Sequence, residues 1–460
     1  METDNRKRIR NVILEYGLLL LTGVVFYFFT GNEWLNLTSD SPGYIDYTGG
    51  EGIMPLYPAF LRLMKVILGE KYYLDGAVIV QSMLAVVCTM IFVVLLKRRF
   101  GLKLWEELLL YVACMLPFSI YLPEFGITHQ IMTEGLTYPL FYIYFLFLTN
   151  FVLDRKYYWG IALIAMSIVL MLVRSQLMLL MLSTFAAYVY VIIRRLCARE
   201  NAKKAIAAFL GVLVVAGGIF VVLFGRKLLE IPQFTSVLMI RGFYEADYAD
   251  KELFETPEMQ EIFERVYRAV DEKEYRYVYA RQDLYMWQDL VCDRIPAAAN
   301  PEIGRYLEEH PESGLDYKET IRKLGGTVLL KHFDRYLYHT LRLMIPGFIA
   351  AVFWQIGPIY LLCHFIALFL YLYAIGGSVF CLRHKEKSPE AEFMLTVVGF
   401  ILVMIITVNI MFIGLQRYVV YAMGIFYCAA YLLFKELVIY VILSKANLQN
   451  SIRRKDREED

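Results

Sequence analysis

Residues 75–96 read Asp75-Gly-Ala-Val-Ile-Val-Gln-Ser-Met-Leu-Ala-Val-Val-Cys-Thr-Met-Ile-Phe-Val-Val-Leu-Leu96, and Lys97-Arg98-Arg99 follows at once. An α-helix needs about 20 consecutive apolar residues to cross the hydrocarbon core of a bilayer. In that core only helices and closed barrels satisfy their own backbone polar groups. The run is too long and too continuous for a barrel strand, which alternates in polarity. It therefore predicts a membrane-spanning helix that ends on a basic loop.

Working outward, the same pattern recurs along the chain. The protein has 460 residues, 58% apolar and 20% charged, with a mean hydropathy of +0.49. Soluble domains are nearer half apolar and a quarter charged. Ten spans fit: 12–30, 75–96, 104–121, 135–153, 157–173, 177–193, 205–224, 357–381, 392–413 and 418–442. The fold class expected is an all-α polytopic membrane protein, a bundle of about ten transmembrane helices. The basic connections alternate with this count. Lys97-Arg98-Arg99, Arg155-Lys156, Arg194-Arg195 with Arg199, Lys203 and Lys204, and Arg383 to Lys387 fall on one side, with Arg6 to Arg10 and Arg453 to Arg457. Basic loops stay cytoplasmic, so both termini are expected there, in a multi-pass plasma-membrane protein. The opening run, 12–30, has the basic flank of a signal peptide but no small-x-small cleavage site and enough length to span, so it reads as an uncleaved first helix.

The net charge of +1 hides a split. Residues 226–338 carry 16 basic and 22 acidic groups. That balance, on the side facing away from the basic loops, is not the footprint of a nucleic-acid partner. Four regions follow: an N-terminal transmembrane module over 1–225 containing a long first outer loop at 31–74, a small, mainly helical extracytoplasmic domain over 226–356, C-terminal transmembrane helices over 357–443, and a cytoplasmic tail at 444–460. In the domain, 255–270 and 272–290 have helical spacing, Ile295-Pro-Ala-Ala-Ala-Asn-Pro301 reads as a break, and 327–345 as an amphipathic helix returning to the membrane. In the first outer loop, Tyr57 to Leu68 has Arg62 and Lys65 on one side and apolar residues elsewhere. That suits a helix lying in the interface, or a short packed one. The seven cysteines sit mostly in apolar runs and read as small apolar residues. No spacing suggests a zinc site.

Charged groups near membrane depth are costly, so each is a functional candidate. On the outer side these are Asp40 and Asp46 in the first loop, Glu124 and Glu134 flanking the next, Arg174 between spans five and six, and Arg417 before span ten. His129, Arg241, His332 and Arg335 are further candidates. Several lie in short motifs: Ser39-Asp40-Ser41-Pro42-Gly43-Tyr44, Met54-Pro55-Leu56-Tyr57-Pro58, Thr133-Glu134-Gly135-Leu136, Leu172-Val173-Arg174-Ser175-Gln176 and Gln416-Arg417-Tyr418. Their order and sidedness over roughly residues 1–220 resemble the GT-C superfamily of polyprenyl-phosphate-sugar glycosyltransferases, which includes protein O-mannosyltransferases and the lipid A aminoarabinose transferase.

The resemblance implies an inverting transfer on the extracytoplasmic face, from a polyprenyl-phosphate sugar to a hydroxyl of a cell-envelope glycan, lipid or protein. It places the general base in the first outer loop, where Asp40 stands. It puts Glu134 near donor or acceptor, or on a divalent metal with Asp40. Arg174 and Arg417 would face the phosphate, which arginine's planar fork suits. Tyr44, Tyr57, Asp46, Glu124, His129, His332 and Arg335 would be substrate contacts. Each residue also has a plainer role. Asp40 could cap a helix before Pro42, Glu134 could be a first-turn acid, Arg174 could pair with Glu134 or Glu124, and Arg417 could snorkel. The chain departs from the O-mannosyltransferases in having Ser41, not a second acid, after Asp40. Two other classes stay open. A lipid-carrier flippase would place charges mid-membrane, and a scaffold would leave Asp40, Arg174 and Arg417 apart. A polysaccharide polymerase is a further enzymatic option.

Overall fold

The computed structural model describes residues 2–30, 34–38, 40–48, 53–117, 126–199, 203–225, 232–279, 284–353, 359–385, 387–411 and 416–459. Among them the chain is helical, with one isolated β-bridge. The apolar runs become α1 (Glu2–Thr30), α4 (Tyr73–Phe100), α5 (Leu104–Met115), α6 (Glu134–Asp154), α7 (Tyr157–Val173), α8 (Leu179–Cys197) and α9 (Lys203–Gly225). The first loop carries α2 (Ser41–Ile45) and α3 (Leu56–Leu68). A helical domain follows, of α10 (Pro232–Glu245), α11 (Pro257–Asp271), α12 (Leu284–Glu309) and α13 (Tyr317–Lys331). The chain ends with α14 (Phe333–Val352), α15 (Tyr360–His384), α16 (Pro389–Met411), α17 (Gln416–Val419) and α18 (Met423–Glu459).

Six helical stretches among the described residues are long and apolar enough to cross a membrane: Tyr73–Phe100, Glu134–Asp154, Ser175–Cys197, Leu361–His384, Pro389–Ile410 and Val420–Ile442. Val12–Phe26 and Tyr157–Val173 are apolar but shorter. The expected third span is a helix only over Leu104–Met115, and 118–121 lies outside the described residues. The helices stop where their caps dictate. Gly101 ends α4 with φ +62°, a left-handed conformation that costs glycine nothing. Arg155 ends α6 in the same region.

The basic connections gather at one end of the bundle and are neutralised there. Lys97 meets Glu15 at 2.6 Å and Glu107 at 2.7 Å, Arg99 meets Asp154 at 2.7 Å, and Lys435 meets Glu106 at 3.0 Å. Glu106 and Glu107 are buried. Glu106 reaches back to the Lys103 N–H at the start of α5 and accepts the Tyr431 hydroxyl at 2.8 Å. These acids let a short, charged α5 pack among apolar helices, because a buried carboxylate is tolerated only when paired.

The helical domain has a core of its own, built on Phe243, Ile262, Phe263, Val266, Ile303 and Leu324. α10 and α13 cross at glycine: a Cβ on Gly242 would lie 2.5 Å from the Gly325 carbonyl oxygen. The expected break at 295–301 is overturned, since Pro296 and Pro301 lie inside the single helix α12. Each proline removes a donor. Ala298 and Ala299 favour helix, and Ile295, Ala298, Ala299 and Ile303 are buried in the domain core, so packing outweighs the lost bonds. The helix expected from 272 starts instead at Leu284, after a turn at 272–274 and a tight turn at Tyr277–Tyr279. The return helix is split at His332, where α13 ends and α14 begins. The far end of α14, Ile349 to Val352, belongs to the bundle core. Arg241 of α10 is buried, donates to the Asn409 carbonyl at 2.7 Å and lies over Tyr336, tying the domain to α16 and α14.

α3 is packed along one side, as expected of a short packed helix. Tyr57, Leu61 and Met64 pack against Ala77, Ile131, Leu136 and Val173. Leu63, Val66 and Ile67 on the other side are exposed.

Candidate functional site

At the end of the bundle away from the basic connections, the first loop is stitched to residues 126–133. The Asn36 N–H donates to the His129 carbonyl at 3.0 Å, and the Ile131 N–H donates to Asn36 at 3.2 Å. Ser41 Oγ donates to the Ile131 carbonyl at 3.0 Å. Beneath them, Gln81 of α4 donates to the carbonyls of Thr128 at 2.9 Å and Gln130 at 3.1 Å, and accepts the Tyr57 hydroxyl at 2.8 Å. Gly135 leaves room for this amide: a Cβ there would lie 2.5–2.7 Å from its atoms. Replacing Gln81 by Leu leaves a hydroxyl and two carbonyls short of a partner, so a loss of about 1–3 kcal/mol is expected. A lower Tm in detergent checks it; a wild-type Tm would mean the loops hold without the amide.

The stitching brings four connections together. Arg174 breaks the chain between α7 and the short turn Ser175–Met178, in extended conformation. Its guanidinium pairs with Glu134 at the start of α6. Nη1 also donates to Thr133 Oγ1 at 3.1 Å, and Nε to Gln176 at 2.6 Å. The group sits 5.1 Å from the Tyr418 ring of α17. Tyr421 extends this wall, stacked on Tyr138 at 4.1 Å and 2.9 Å from the Thr137 hydroxyl. Arg174 and Glu134 are buried.

Asp40 stands at the rim, exposed, at the N-terminus of α2. It does not act as the cap that its position suggests, since its side chain makes no hydrogen bond to the first-turn N–H groups. One turn later, Tyr44 reaches down between rim and floor, its ring edge-on to Tyr57 at 5.2 Å. Burial raises the Tyr44 hydroxyl above its ordinary value; Arg174 and a Thr133 hydrogen bond oppose this, while Glu134 and Asp40 add to it. Tyr44 therefore feels both acids and the arginine. Burial likewise raises Tyr57, with Tyr44 and Glu134 adding.

Of the sequence candidates, Asp40, Tyr44, Tyr57, Glu134 and Arg174 come together. Arg417 lies in α17 beside Tyr418, which brings its backbone to the same site; its side chain is outside the described residues. Glu124 is also outside them. His129 is buried behind the site, its ring against Trp34 at 5.9 Å, where it supports the loop. Asp46 is exposed near Lys65 of α3. His332 and Arg335 do not join the site. Their helix turns them into the helical domain, where His332 meets Asp250 at 2.8 Å and Arg335 meets Asp247 at 2.7 Å and Tyr277 at 3.2 Å. Paired acids in the domain claim both.

Gln81, Tyr418 and Tyr421 complete the site, and of these the sequence marks only Tyr418, in the Gln416-Arg417-Tyr418 motif. A lone amide in the apolar run 76–96 was the one available signal for Gln81. Among the described residues no group of three or more His, Cys, Asp or Glu side chains could hold a metal. The arrangement offers a solvent-facing carboxylate above a buried acid–arginine pair, walled by tyrosines. Compared with protein-family models, with curated proteins and with solved structures, the chain matches none.

Proposed function

We propose that the chain is a GT-C-type membrane glycosyltransferase that moves a sugar from a polyprenyl-phosphate donor to an acceptor hydroxyl. In this reading it spans the plasma membrane about ten times, with both termini cytoplasmic and the Asp40 end extracytoplasmic. One observation carries it: Asp40, Glu134, Arg174 and the α17 segment bearing Arg417, far apart in sequence, meet at one end of the bundle, opposite the basic connections. Most charges in the candidate spans lie near helix ends, and Lys435 and Glu436, further inside theirs, pair with Glu106 and Lys385 at the basic end, which supports an enzyme over a flippase.

The Asp40 carboxylate accepts the proton of the acceptor hydroxyl. The freed oxygen forms a bond to the anomeric carbon from the face opposite the phosphate. The bond from that carbon to the phosphate oxygen breaks, and polyprenyl phosphate leaves with the electron pair. Arg417 and Arg174 stabilise the charge that develops there. The contacts of Arg174 to Glu134, Thr133 and Gln176 use Nε and Nη1, and a guanidinium has five N–H donors in all. Glu134 holds that guanidinium in place, and Tyr44, backed by the buried Tyr57, faces the sugar. The acceptor is a glycan, lipid or protein of the cell envelope.

The test is to incubate the purified protein with a panel of polyprenyl-phosphate sugars and candidate acceptors. Release of polyprenyl phosphate with at least one donor is expected. Absence of release with every donor, alongside movement of the intact lipid-linked sugar across vesicles, would replace this reading with the flippase.

A further inference from the structure

A cavity lies at the basic end of the bundle, remote from the site above. It is a trough of about 390 Å³ between α6, α8, α15 and α16. Along α16 it runs from Glu392 to Val403, about 16 Å at 1.5 Å per residue. Small residues carve it, Ser183, Ala186 and Ala187 on α8 facing Gly399 on α16. A Cβ built on Gly399 meets nothing within 4 Å. Leu382, Tyr190 and Leu402 at its edge are exposed, so the trough opens sideways, toward lipid in a membrane.

Its mouth is charged. Glu392 faces Arg194 at 2.8 Å and Arg155 at 3.9 Å. Arg195 donates to the Arg155 carbonyl beside them. Two arginines thus flank one carboxylate, leaving this cluster at the mouth net positive, and the Arg194 side chain is 45% exposed. Basic pockets between transmembrane helices bind anionic lipid head groups, and arginine binds phosphate through paired N–H donors.

We infer that this trough is a binding site for an anionic phospholipid, with its phosphate at Arg155 and Arg194 and one acyl chain lying toward Val403. The small residues on α8 and α16 leave the space, and Leu148, Val152, Leu395 and Phe400 give it an apolar lining that suits an acyl chain. The site does not depend on the reaction proposed above. It makes the bundle's packing sensitive to the lipid at the end opposite the candidate active site.

The test is native mass spectrometry and thermal unfolding of the purified full chain with phosphatidylglycerol, phosphatidylcholine, polyprenyl phosphate or inorganic phosphate. Phosphatidylglycerol is expected to bind in preference to the other three and to raise Tm. Gly399→Leu fills the trough without a backbone clash and is expected to weaken that binding by at least about tenfold, because displaced methylenes lose their burial. Glu392→Gln removes the competing carboxylate and is expected to tighten it. Equal retention of phosphatidylcholine, preference for polyprenyl phosphate, binding of inorganic phosphate alone, or unchanged binding by Gly399→Leu would each overturn the assignment.

Discussion

Replacing Asp40 by Asn is expected to slow sugar transfer by about 10²–10⁴-fold, the usual contribution of a positioned general base, while donor affinity stays near that of the wild type. The substitution is nearly isosteric. Asp40 is exposed and makes no capping bond to α2. The loop around it is held by Ser41, Asn36 and Gln81, none of which is altered. Release of polyprenyl phosphate measured against donor concentration separates the two effects. Full turnover by the variant would remove Asp40 as the base and leave Glu134 as the carboxylate to test.

Replacing Arg174 by Ala is expected to cost about 3–5 kcal/mol of stability, the penalty for leaving one partner of a buried ion pair alone. The Glu134 side chain is 5% exposed, so water cannot take over from the guanidinium. The double variant Arg174→Met/Glu134→Gln removes both charges and is expected to recover most of that stability. It is not expected to recover donor binding, because the phosphate would still lack its arginine. Thermal unfolding reads the first effect, and donor affinity in detergent the second. Recovery of donor affinity in the double variant would confine Arg174 to a structural role.

These expectations differ in how far they were legible in sequence. Run length alone placed 75–96, 135–153 and 392–413, found as Tyr73–Phe100, Glu134–Asp154 and Pro389–Met411, because crossing a bilayer demands that composition. The shorter helices were harder. α5 carries Glu106 and Glu107, and only their distant partners Lys97, Tyr431 and Lys435 explain why they can be buried. Pro296 and Pro301 suggested a break, yet burial of Ile295, Ala299 and Ile303 carries the helix through. At the site, Arg174 and Glu134 stood out as charges interrupting apolar sequence, and their pairing was among the alternatives foreseen. Gln81 did not stand out, since its partners are carbonyls 47 and 49 residues away. His332 and Arg335 read as candidate substrate contacts, but Asp250 and Asp247 pair with them in the helical domain.

The measurement that bears most directly on this account is an experimental structure of Asp40→Asn with a polyprenyl-phosphate sugar bound. The phosphate is expected within about 3 Å of guanidinium nitrogens of Arg174 or Arg417, with the sugar's anomeric carbon turned toward position 40. A donor phosphate lodged elsewhere, for instance among the arginines of the basic end, with position 40 facing empty solvent, would contradict it.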